Sequence, residues 1–255
     1  MSPAAPRALT GGYWRVSRAP RYSLLFVLPL FVLYEALASS LAAPGVDSVR
    51  NAADVMLKTP FILFSGARGS MVFFATVIGV CVYLIGRDLK KSRDGLQPRT
   101  FGLMFAESAV LALLLGVVVG TLTQQLLGGL AGLSMQAGSP MQRMDVGTRL
   151  MLSLGAGLYE ELLFRVLLVG GLAWIFARVI GGSRVLTGFI AACVGAIVFS
   201  AFHYIGEYGD PFELGSFTYR AIAGLVFSGL YLTRGFGITA WTHALYDVYV
   251  MIILA

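Results

Sequence analysis

The chain has 255 residues, 57% hydrophobic and 13% charged, with a formal charge of +6 and a mean hydropathy of +0.79. A soluble domain carries roughly a quarter charged residues, so no soluble fold hides this much apolar surface, and the bilayer must be the solvent for most of it. The basic residues lie between apolar spans and form no binding stripe, which argues against a nucleic-acid partner and matches the collection of Lys and Arg in cytoplasmic loops.

About 20 apolar residues are needed to cross the hydrocarbon core as a helix. In chain order the predicted spans are 22–43, 69–86, 101–127, 147–180, 185–205, 217–233 and 237–254. The fold class expected is therefore all-α, a polytopic transmembrane bundle of seven spans, with eight as the alternative. The first span imitates a signal peptide, with Arg7 to Arg21 before an apolar core and Ala36-Leu37-Ala38 after it. Its apolar stretch runs on to Ala43 and contains Glu35, which favours a retained anchor. Residues 50–66, with Lys58 and Pro60, read as interfacial or re-entrant. The third span carries Gly116-x-x-x-Gly120, and Gly128-x-x-x-Gly132 follows it; both read as helix-packing sites. The segment 147–180 is too long for one upright crossing and predicts tilt, a break or an interfacial end. Cys81 and Cys193 each fall inside an apolar run and make no disulfide framework.

An N-terminus inside places Arg7, Arg15, Arg18, Arg21, Arg87, Lys90, Lys91, Arg93, Arg99, Arg178, Arg184 and Arg234 on the inner side, which is twelve. The outer side then receives Arg50, Lys58, Arg68, Arg143, Arg149 and Arg220, which is six. Acids weigh little in this rule, so Glu207, Asp210 and Glu213 in the 206–216 loop do not alter the count. Twelve against six predicts a cytoplasmic N-terminus. Short loops and Arg-, Ala- and Gly-rich usage fit a multi-pass protein of a bacterial cell (inner) membrane. The chain is expected to divide into an N-terminal transmembrane region, 1–140, and a C-terminal transmembrane core, 141–255.

A charge at the bilayer centre costs from ~3 kcal/mol upward. Inside the spans stand Glu35, Glu107, Glu160, Glu161, Arg165, His203, His243 and Asp247, and the last six fall on three C-terminal segments that hold both histidines of the chain. On a helix Glu161 and Arg165 are four apart and share a face, while Glu160 is rotated by about 100° and faces elsewhere. A carboxylate with a second one beside it, in a poorly solvating setting, is suited to taking and returning a proton. Glu160 lies about 20 residues before the Gly181–Arg184 turn and His203 about 20 after it, so two antiparallel helices bring them to one depth and one water can lie between them. His243 and Asp247 share a face at four-residue spacing. His243 lies only about six residues past the Gly235–Gly237 turn, so that turn must be sunk into the protein, or the span before it short.

The three segments read Glu160-Glu161-x-x-x-Arg165, Phe199-x-x-x-His203 and His243-x-x-x-Asp247. In order and on successive apolar segments, they resemble the CAAX-protease and bacteriocin-processing family of intramembrane endopeptidases. Its motifs are Glu-Glu-x-x-x-Arg, Phe-x-x-x-His and His-x-x-x-Asn or Asp. The resemblance covers about residues 147–250. It implies a glutamate-dependent, metal-independent peptidase without cofactor, acting on a peptide or membrane-protein substrate. It also implies that Glu160 and His203 activate the attacking water, that His243 stabilises the oxyanion, and that Glu161 and Arg165 are structural supports. Family members often carry Asn at the last motif position. An ionised Asp cannot donate to an oxyanion, so Asp247 is either protonated or orients and charges His243, and the second role is the one favoured. Zinc is the alternative for two His with carboxylates, but the His-Glu-x-x-His spacing is absent. A proton-coupled transporter is the competing class, against which stands the lack of paired inverted repeats. A non-catalytic scaffold or immunity protein is the third.

Overall fold

The computed structural model describes residues 9–42, 49–92, 95–128, 144–206 and 209–253. Arg7, Arg93, Gly132, Arg143 and Glu207, and the division at residue 140, lie outside the described residues. The elements are α1 (Leu9–Ser17), α2 (Pro20–Ser40), α3 (Ala52–Ser65), α4 (Gly69–Lys91), α5 (Pro98–Leu127) and α6 (Val146–Gly155), then a π-helical segment (Ala156–Val169), α7 (Gly170–Val179), α8 (Arg184–Phe202), α9 (Leu214–Arg234) and α10 (Phe236–Val248). No strand occurs among the described residues. The chain is an all-α polytopic bundle.

The starts follow from local chemistry. Pro20 and Pro98 open α2 and α5, where a missing N–H costs nothing. Asn51 caps α3 by accepting from the Ala53 amide, and Ser183 caps α8 by accepting from Leu186. The exterior is apolar, with Leu63, Phe64, Val117 and Val185 exposed, while Glu161, Arg165 and His243 are buried. That inversion is what a hydrocarbon solvent selects.

Six stretches are long and apolar enough to cross a membrane: Pro20–Ser40, Ala52–Lys91, Pro98–Leu127, Val146–Val179, Arg184–Phe202 and Phe236–Ile253. The seventh expected span is the 21-residue α9, which has the length but not the hydropathy. Its Ser216, Tyr219, Arg220 and Ser228 are turned to neighbouring side chains or backbone, and α9 packs between α8, α5 and α10. Residues expected at an interface become α3, which a single 3-10 turn (Gly66–Arg68) joins to α4. Val146–Val179 has no break; the wide π-helical winding in its middle lets a long segment rise less per residue.

α10 lies at the centre, against α2, α5, α6, α9 and the π-helical segment. Gly116 of α5 brings that helix against the ring of Tyr246. The glycine turn is sunk into the protein, as the depth argument requires. Gly235 has φ 82° and abuts Arg18, the Gly237 amide donates to Ser23 Oγ at 2.7 Å, and α9 before it is full length.

Candidate active site

Glu160, Glu161 and Arg165 sit on the π-helical segment, a winding that recurs at functional sites. Close packing of α10 on this segment depends on Gly157. A Cβ there would lie 2.4 Å from the Ala240 carbonyl oxygen and 2.6 Å from Ala244 Cβ. With that approach, His243 Nδ1 reaches Glu161 Oε1 at 2.7 Å. The same carboxylate faces Arg165 Nε through Oε2 at 3.2 Å. Glu161 is thus shared between Arg165 and His243, where the sequence pairs it with Arg165 alone. Asp247 lies on the other side of the imidazole, Oδ2 3.7 Å from Nε2, so it is Glu161 and not Asp247 that holds the Nδ1 edge.

His203 closes α8. Its Nδ1 is 2.9 Å from the Phe199 carbonyl oxygen, which can only accept, so Nδ1 carries the proton and neutral His203 presents a bare Nε2. That Nε2 faces Glu160 Oε2 at 3.9 Å. The Phe199 ring adjoins three other groups of the set. It lies edge-on to His203 at 4.9 Å, 6.2 Å from His243, and under the Arg165 guanidinium at 4.2 Å. Phe227 stacks on the second face of the set, 4.4 Å from His243 and 5.2 Å from Arg165. A buried guanidinium between two ring faces is held by cation–π attraction as well as by its carboxylate. The residues Glu160, Glu161, Arg165, Phe199, His203, His243 and Asp247 are all brought together.

One member is not legible from the motifs. Asn51 Nδ2 donates to Glu160 Oε1 at 2.9 Å, across 109 positions of sequence. Its amide donates to Tyr34 Oη at 3.2 Å, six residues before the end of α2, so the chain has turned back about 9 Å from that end. An ion network seats it there. Lys58 pairs with Glu35 at 3.0 Å and Asp54 at 2.6 Å, Arg50 pairs with Asp54 at 3.0 Å, and Tyr159 donates to Glu35 at 2.6 Å. Glu35, unexplained as an intramembrane acid, is the hub of this network. The signal available in the sequence was the cap pattern Asn51-Ala-Ala-Asp54, which marks a helix start and not a site.

Among the described residues no three His, Cys, Asp or Glu side chains are grouped to hold one metal ion. The arrangement pairs an acceptor carboxylate with an acceptor imidazole, beside a second imidazole flanked by two carboxylates. It suits proton transfer to and from a water or an amine.

No curated protein and no solved structure matches the chain. Residues 143–249 match the family described as type II CAAX prenyl endopeptidase Rce1-like. That stretch holds every site residue except Asn51, beginning just before α6 and ending one residue past α10. Over this stretch, about two fifths of its length, the chain is similar to the CAAX-protease family, and the stretch is set in a bundle of long apolar helices.

Proposed function

We propose that the protein is a glutamate-dependent, metal-independent endopeptidase that hydrolyses a peptide bond of a membrane-associated protein or peptide. The observation that carries this reading is the facing pair Glu160 Oε2 and His203 Nε2, 3.9 Å apart, with Asn51 holding the other Glu160 oxygen. Both atoms are acceptors, too far apart to bond each other. A water oxygen about 2.8 Å from each donates one proton to each.

In the reaction the water oxygen bonds to the scissile carbonyl carbon, and its proton passes to Glu160 or His203. The carbonyl oxygen becomes an oxyanion beside His243, which with Glu161 on Nδ1 and a proton on Nε2 donates to it. The captured proton then passes to the amide nitrogen as the carbon–nitrogen bond breaks. Asp247, on the Nε2 side of His243, holds the imidazolium rather than the oxyanion. Phe199, Phe227 and Arg165 keep the two imidazoles apart and the walls dry. We assign the N-terminus to the cytoplasm from the asymmetry of the basic residues, and the protein to a cell membrane from its short loops and Arg-, Ala- and Gly-rich usage.

Cleavage of a panel of membrane-anchored and prenylated peptides in detergent, with and without a chelator, tests the reading. Wild type is expected to cut with the chelator present, and Glu160→Gln to lose about 10²–10⁴-fold in rate. Activity that survives alanine at both Glu160 and His203 would sink it.

A further inference from the structure

The helix ends sort into two groups by direct contacts. At one end, Arg21 pairs with Asp88, Tyr22 bonds Gly95 and Gln97, and Arg18 reaches the Leu232 carbonyl. Gly188, near the start of α8, adjoins Leu232 there as well. At the opposite end, Gly147 adjoins Leu41, and Arg149 donates to the Met251 carbonyl.

The reactive pair belongs to the second end. His203 follows the last residue of the 19-residue α8, about 28 Å along the helix from its start. Asn51 and Glu160 stand level with Tyr34, in the outer third of α2. The site side chains that reach the surface of the bundle are also on this side, where the His203 side chain is 26% exposed and that of Asp247 22%. Ile205, Phe212 and Leu214, just beyond His203, are exposed apolar side chains.

Toward the first end the bundle is sealed. Arg165, Phe164, Phe199 and Phe227 form a buried layer below Glu160. Val169 packs so tightly on Gly195 that a Cβ there would lie 2.4 Å from its Cγ2. Farther on, α1 lies over buried Arg234 through Ser17 and Trp14.

The basic residues are divided between the same two ends. Arg15, Arg18, Arg21, Arg87, Lys90, Lys91, Arg99, Arg178, Arg184 and Arg234 lie at the sealed end, ten of the described residues. At the site end are Arg50, Lys58, Arg68, Arg149 and Arg220, five, of which Arg50, Lys58 and Arg220 are paired with acids. Paired or not, basic residues next to membrane spans are retained on the cytoplasmic side.

We propose that the active site opens away from the cytoplasm, and that the substrate is the non-cytoplasmic juxtamembrane segment of an exported, membrane-anchored peptide. This rests on the protease reading above for the chemistry, but not for the side. A cytosolic lipidated tail has no access to a site on that face. The apolar side chains beyond His203 suit a scissile bond flanked by a lipid-embedded stretch.

Accessibility of single cysteines tests the side without requiring activity. In a background carrying Cys81→Ser and Cys193→Ser, Ile205→Cys, Phe212→Cys and Lys90→Cys are treated in intact cells with a membrane-impermeant sulfonated maleimide. The variants at 205 and 212 are expected to label as fully in intact as in permeabilised cells. Lys90→Cys is expected to lose its label unless the cells are permeabilised. Labelling of 205 and 212 only after permeabilisation, with Lys90→Cys open from outside, overturns the proposal. Two exposed rim positions guard against one variant that fails to fold. The detergent comparison of wild type with Glu160→Gln is blind to sidedness, so failure of the protease reading and failure of this proposal are told apart.

Discussion

Asn51 performs two functions with one side chain. Its oxygen caps α3 at Ala53 and its amide nitrogen donates to Glu160. A hydrogen bond to a charged group is worth about 1.5–3 kcal/mol, so Asn51→Ala is expected to lower kcat by about ten- to a hundredfold with little change in KM. Asn51→Asp separates the two functions, since aspartate is an equally good cap but offers Glu160 no donor. If capping were the whole role, Asn51→Asp would cleave like wild type; the expected result is a loss at least as large as that of Asn51→Ala. Phe199 is similarly dual, its carbonyl setting the His203 tautomer while its ring adjoins Arg165 and both imidazoles.

At the scale of elements, the His243 side of the site is a contact between the π-helical segment and α10, and its tolerance is set by backbone approach. A methyl group at position 157 meets the Ala240 carbonyl oxygen and the Ala244 amide nitrogen, at 2.4 and 2.7 Å, and neither is the flexible end of a side chain. Gly157→Ala must therefore push the two helices apart. The expected cost is about 1–3 kcal/mol of stability, read as a lower thermal midpoint in detergent. His243 would be drawn off Glu161, so cleavage should fall by more than the folded fraction does. Retained cleavage with only a lower midpoint would mean that the His243–Glu161 bond is dispensable. Gly171, with nothing within 4 Å of its added Cβ, is the matched control.

On the scale of the whole molecule, two ionic clusters tie the early helices to those that carry the site residues. Near the site, Glu35 joins Lys58, Arg50 and Tyr159. At the sealed end, Arg234 is clamped by Glu107 through two bonds, at 2.5 and 2.7 Å, and Tyr13 donates to the same carboxylate. Removing one partner leaves a buried charge uncompensated, which costs about 3–5 kcal/mol. Glu107→Ala is expected to lower the thermal midpoint strongly. Adding Arg234→Met should recover part of that loss, because the orphaned charge is then gone. An additive double variant would show that the pair is not coupled. The clamp also explains how α10 can begin within the protein, since Arg234 anchors the glycine turn beneath α1.

The fold class was determined by the sequence, because a chain this apolar has no other solvent than lipid and lipid permits few architectures. The motif residues were also legible, since each is too costly in hydrocarbon to be there without a partner or a task. Their partners were a different matter. Periodicity pairs residues within one helix, and so it matched Glu161 with Arg165 and His243 with Asp247. Only the tertiary structure, with α10 docked on Gly157, decided that Glu161 also takes His243. It also decided that Asn51 reaches Glu160 and that α9 is a polar-lined member of the bundle core. These are contacts between segments tens to more than a hundred residues apart, set by side-chain volume and backbone approach, and local spacing carries no record of either.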